Sequence, residues 1–232
     1  MRNDALTASL IRSGSVRRGL SEDPEKITKP EIADTGKPVW SLAVQQAWPY
    51  FFVSLKWRSC SMKVILLMAL TVDGMIARDS DHFPDWTGRE DKRMFKEMTI
   101  KAGVLIMGSK TYDAIGRPLP GRKNVVMSRN KRRISQQKDL VFTDKPPREV
   151  LADLRQEGFK VAILAGGSQI NTIFAREDLI DEICLTYVPQ IFGKGLTLFT
   201  DSISMQLELM DFKQLGPGQI FARYRVIREA MA

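Results

Sequence analysis

From Met62 onward, short apolar runs alternate with amphipathic stretches, and that alternation predicts the elements. Residues 64–70 form a near-continuous apolar run of strand length. Thr87-Gly88-Arg89-Glu90 fits a capping box, with Thr87 as N-cap and Glu90 reaching back. It opens a helix in which Met94, Phe95, Met98 and Ile100 recur at roughly helical spacing. A second buried strand covers 104–107 and ends at Gly108. A short helix covers 110–115, a Pro-Gly loop 116–121 and a third strand 124–127. Residues 140–142 follow as a short strand. Pro146-Pro147 then starts a helix through Leu151, Leu154 and Arg155 that stops at Gly158. Val161–Leu164 reads as a strand, followed by Ala165-Gly166-Gly167-Ser168 and a helix through Ile173 and Phe174. Glu182–Val188 is the next strand. Strands at 207–212 and 220–226 flank Gly216-Pro217-Gly218 as a terminal hairpin. The order implies an α/β fold: a central mixed sheet, mostly parallel, with an antiparallel C-terminal hairpin and helices on both faces.

Residues 1–61 lack such periodicity. Pro24, Pro30, Pro38 and Pro49 interrupt them, yet three of the four tryptophans are there: Trp40, Trp48 and Trp57. A targeting peptide fits Arg12, Arg17 and Arg18 but not Asp4, Glu22, Asp23 and Glu25. A partner-binding arm built on the aromatics and an overextended gene start before Met62-Lys63 are the other two readings. The expected division is an N-terminal extension, 1–61, and a catalytic domain, 62–232.

Composition narrows the chemistry. The 232 residues contain one histidine, His82, and two cysteines, Cys60 and Cys184. A multi-histidine metal site and a disulfide framework are therefore excluded, and no metal is expected. The longest apolar run is far too short to span a bilayer. Apolar residues make up 44%, charged residues 27%, and mean hydropathy is −0.18, ordinary globular values that argue against wholesale disorder; the expected location is cytoplasmic. A net charge of +8 points to an anionic partner. The basic cluster Lys110, Arg117, Arg122, Lys123 and Arg129 follows strand ends and one loop. That placement suits a small anionic ligand at least as well as a nucleic acid.

Two further features carry chemistry. Gly166-Gly167-Ser168 joins a buried strand to a helix, where glycines allow close backbone approach and the helix N-terminus offers N–H groups to a phosphate. A tight turn is the simpler reading. Asp91 lies one turn into its helix, beside Trp86. It is either a solvated first-turn acid or a carboxylate accepting two parallel hydrogen bonds from an amidine-like edge.

Taken in order, these pieces resemble the dihydrofolate reductase superfamily, which includes the riboflavin-pathway pyrimidine reductases, over roughly 62–228. The most specific stretches are Ile106-Met107-Gly108-Ser109-Lys110-Thr111-Tyr112, then Ile115-Gly116-Arg117-Pro118-Leu119-Pro120-Gly121-Arg122-Lys123-Asn124, then Met127-Ser128-Arg129. Residues 179–199, with Gly193-Lys194-Gly195, look more like the pyrimidine-reductase branch, although that Gly-Lys-Gly reads structurally as a turn.

The resemblance implies an NADPH-dependent reductase acting on a pterin C=N bond, best matched by 7,8-dihydrofolate. The alternative is the riboflavin-pathway reductase of a phosphoribosylamino-uracil. A non-enzymatic nucleic-acid binder is the distant third. Asp91 would be the catalytic carboxylate, with Ala69, Phe95, Arg122 and Thr186 on the substrate. Gly108, Lys110, Thr111, Ser128, Arg129, Ala165, Gly166, Gly167 and Ser168 would hold NADPH. Gly166-Gly167 would be joined by a cis peptide, and 73–86 would close over the nicotinamide. The partner is a small molecule, with no nucleic acid or membrane, and the protein a monomer or homodimer. Two departures stand out: Pro84-Asp85-Trp86 replaces the usual Leu-Pro-Trp, and Asn171 replaces a tyrosine.

Overall fold

A computed structural model describes residues 62–228, together with 31–32 and 38–39. The chain divides into Met1–Trp57 and Arg58–Ala232. In the first unit, Glu31–Ile32 (β1) and Pro38–Val39 (β2) pair antiparallel. The other readings of 1–61 lie outside the described residues.

The second unit runs β3 (Lys63–Thr71), β4 (Met75–Ala77), α1 (Gly88–Ala102), β5 (Val104–Gly108), α2 (Ser109–Ile115), β6 (Lys123–Met127), β7 (Leu140–Thr143), α3 (Pro147–Gln156), β8 (Val161–Leu164), α4 (Ser168–Arg176), β9 (Glu182–Val188), β10 (Leu196–Thr197), β11 (Gln206–Gly216) and β12 (Gln219–Ile227). Eight strands form one sheet in the order β11-β12-β9-β3-β8-β5-β6-β7. From β9 to β7 every neighbour is parallel; β12 joins β9, and β11 joins β12, antiparallel. This is the mixed sheet expected from the alternation.

β3 is apolar along its length because it is a central parallel strand buried on both faces. Val64, Leu66 and Leu70 face one core with Val150 and Leu154 of α3 and Phe174 of α4. Ile65 and Leu67 face the other with Met94, Phe95 and Met98 of α1 and Tyr112 of α2. At the far end of β9, Glu182 is buried between Lys63 Nζ (2.5 Å) and Arg223 Nη2 (2.8 Å). No described helix is long and apolar enough to cross a membrane.

One local expectation fails. The capping box does not form: Thr87 sits at φ −78°, ψ −9°, already helical, and makes no capping hydrogen bond. Its hydroxyl lies near enough to Asp91 to favour the ionised carboxyl. Ile100 is exposed, because the inward stripe of α1 runs through Phe95 and Thr99 at four-residue spacing. β4 and β10 were not expected at all; they pair with each other outside the main sheet.

Candidate active site

Asp91 and Phe95 project from α1, one turn apart, towards the β3–β9 pair. There Ala69 and Thr186 are register partners. Thr186 is fully buried, and its hydroxyl has no hydrogen-bond partner among the described residues; it lies near enough to Asp91 to favour the ionised carboxyl. Burial pushes the Asp91 carboxyl above the ordinary carboxylate value, while Thr186, Thr87 and the Lys92 charge pull the other way with less effect. A partly desolvated carboxylate beside two hydroxyls retains lone pairs for a further donor. Four of the expected substrate residues therefore meet at one place: Asp91, Phe95, Ala69 and Thr186.

Arg122 stands apart from them at the C-terminal end of α1. It is 6% exposed; its Nε donates to Pro120 O (3.1 Å) and its Nη1 to Thr99 Oγ1. Burial lowers its pKa, and it enters no ion pair among the described residues.

The expected cofactor residues gather at the C-terminal ends of three adjacent parallel strands, where open α/β sheets bind ligands. Ala165 follows β8, Gly108 closes β5 and Ser128 follows β6. Gly108 N donates to Gly166 O (2.8 Å), and a Cβ on Gly108 would lie 2.8 Å from Ile170 Cγ1. The Gly166–Gly167 peptide is cis, as the resemblance implied, with Gly166 at φ +86°. A Cβ on Gly167 would sit 3.4 Å from Thr111 Oγ1. Helix α4 starts at once after the pair, with no side-chain cap on its N-terminal amides. Ser168 Oγ donates instead to Thr197 O (2.5 Å). The glycine pair and the uncapped amides fit a dinucleotide. Lys110 and Arg129 are exposed beyond this cradle.

The segment 190–200 straps these parts together. Asp73 Oδ2 accepts from Gly193 N (2.7 Å), and the hydrogen bond from Thr71, with those from the Gly193 and Phe192 amides, holds its pKa down against desolvation. Trp86 packs edge-on to Phe192 (5.0 Å between centroids), His82 does the same, and Arg78 covers the Phe192 ring. Gly195 is more than a turn residue: a Cβ there would lie 2.3 Å from Ala77 O, so only glycine permits the β4–β10 pair. At the other end α4 holds the strap with three side chains on one face. Besides Ser168, Asn171 Nδ2 donates to Leu198 O (2.9 Å), and Thr172 Oγ1 accepts from Thr200 N (2.8 Å).

Gln219 escaped the sequence reading. It opens β12 and donates through Nε2 to Thr87 O (2.8 Å), bracing the first turn of α1 under Asp91. A lone glutamine after a hairpin glycine carries no pattern that would have flagged it.

The RibD C-terminal domain family model matches residues 62–221. Dihydrofolate reductase type 3 of Salmonella typhimurium is 31% identical over 144 residues, covering 62% of this chain and 82% of that protein. A putative riboflavin biosynthesis protein of Shewanella sp. PV-4 superposes with a TM-score of 0.61 at 24% identity, over 72% of this chain and all of that one. The Enterococcus faecalis dihydrofolate reductase, solved with NADP(H), gives 0.54 at 21% identity, over 71% and 96%. With the mixed sheet, the glycine pair after β8 and the carboxylate on α1, these matches place the chain in the RibD C-terminal domain family of the dihydrofolate reductase superfamily.

Proposed function

We propose that residues 62–232 are the catalytic domain of a cytoplasmic, NADPH-dependent reductase acting on a C=N bond of a pterin, with 7,8-dihydrofolate the best-matched substrate. The observation that carries this reading is Asp91, a partly buried carboxylate between the hydroxyls of Thr186 and Thr87, with Ala69 and Phe95 beside it. When bound, the nicotinamide supplies the hydride to the C=N carbon. The chain itself binds, orients and excludes water. Asp91 accepts paired hydrogen bonds from the ring N3–H and 2-amino group, which fixes the ring and favours protonation at the reduced bond's nitrogen. It need not deliver that proton itself. Gly108, Thr111 and Ala165–Ser168 hold the dinucleotide, with Ser128, Lys110 and Arg129 towards its 2′-phosphate. Arg122, buried without a carboxylate partner, takes the acidic tail.

A second reading is reduction of a phosphoribosylamino-pyrimidine. The match of the RibD C-terminal domain model over 62–221 favours it. The two separate by following NADPH absorbance with each substrate. Turnover of dihydrofolate is expected, and Arg122→Gln is expected to raise its KM while sparing a tail-less dihydropterin. Turnover of the pyrimidine alone would replace the first reading with the second.

A further inference from the structure

Two asparagines among the described residues are fully buried, and the fold treats them differently. Asn124 is saturated: its Oδ1 accepts from Leu119 N (2.9 Å), and its Nδ2 reaches the carbonyls of Leu119, Arg122 and Asp139. Asn171 is half used. Its Nδ2 donates to Leu198 O, which fixes which end is oxygen, and the buried Oδ1 has no partner. A buried carbonyl without a donor is unfavourable, so the atom marks a place where a donor arrives.

The direction of Oδ1 says which donor. It lies 3.8 Å from the point a Cβ on Gly166 would occupy, and that point is 3.0 Å from Met68 Sδ and Cε. The oxygen therefore faces Gly166, with the tip of a partly buried methionine over the same spot. A thioether tip is soft and easily displaced. Phosphate oxygens only accept hydrogen bonds and would repel this carbonyl. The group that belongs here carries a donor hydrogen, as the nicotinamide carboxamide does.

We propose that Asn171 Oδ1 is the acceptor for the carboxamide N–H of the nicotinamide, taken up as the Met68 tip moves aside. Asn171 is thus a positioning residue for the hydride-donating ring. The inference rests on the nicotinamide reading of the site.

The test is equilibrium binding to the full chain, read by tryptophan fluorescence, of NADP+ and its 3-acetylpyridine analogue. The analogue keeps the ring and carbonyl but has a methyl group in place of the amide nitrogen. The natural chain is expected to prefer NADP+ about tenfold, the size of one well-placed hydrogen bond. Asn171→Leu is expected to bring the ratio close to one, and Asn171→Ala serves if the leucine variant does not fold. Losing the tie to Leu198 weakens both ligands alike and cancels in the ratio. A natural chain without preference, or a preference that survives both substitutions, overturns the inference and leaves the nicotinamide reading standing; Oδ1 then takes an internal water. Binding of neither dinucleotide overturns both.

Discussion

Asp91 has two opposed consequences. Its raised pKa means that the folded chain holds this proton more tightly than the unfolded chain does. The neutral form therefore stabilises the fold below the ordinary value of 3.8. That benefit is lost as pH rises through the folded value, so at neutral pH the ionised carboxylate is a burden on the fold. Asp91→Asn is expected to raise the melting temperature by a few degrees at pH 7 and by almost nothing below pH 3.8. The same substitution is expected to cut turnover about 10²–10⁴-fold with NADPH affinity kept. For the natural enzyme, kcat/KM should fall as pH drops through the raised pKa, because only the carboxylate accepts the paired donors. Glu182 has the reverse sign. Burial opposes its ionisation, but Lys63 and Arg223 outweigh it and hold the pKa below 4.5. Its stabilisation is present above 4.5 and lost as pH falls through the depressed value. Glu182→Gln is expected to cost about 1–2 kcal/mol in urea titrations at pH 7, less than for a fully enclosed pair because Lys63 and Arg223 are each about two-fifths exposed.

Among the elements, those with many apolar residues were legible and those made by pairing alone were not. Val161–Leu164 and Glu182–Val188 begin and end where the apolar pattern does. β4 and β10 hold three and two residues, too short for alternation to show, and each exists because the other lies beside it. The capping box misled because Thr87 already has helical dihedrals, which leave its hydroxyl off the first-turn amides, and sequence spacing cannot reveal that. Asp91 was readable only through the order of motifs along the chain; by itself it looks like any first-turn acid. Asn171 showed as a departure from the family, but its burial and its unpaired oxygen depend on the strap. Gly195→Ala tests the β4–β10 pair directly. It is expected to open 73–86 to limited proteolysis and to change Trp86 fluorescence in a chain with Trp40, Trp48 and Trp57 replaced. The core on both sheet faces should melt within a few degrees of the natural chain.

Across the described residues, the proposed site lies at the C-terminal ends of the parallel strands. The opposite end is closed by the Glu182 ion cluster. Cys184 lies inside the sheet between them, its thiol pushed up to about 12 mainly by burial. It is expected to resist iodoacetamide at pH 8 until denaturant is added, as read by peptide mass spectrometry. The strap at 190–200 has a wider effect, because it is gripped by α4 at one end and by the loop 73–86 at the other. A ligand that stiffens one end lowers the conformational entropy still to be lost at the other. The two ligands then promote each other's binding by one shared factor, since thermodynamic linkage is reciprocal. Thr172→Val, which removes the acceptor for Thr200 N, should shrink that factor towards one. Each ligand's affinity for the ligand-free protein should stay within about twofold. In calorimetry, a closed cycle of four titrations reads the factor twice, and the two values must agree.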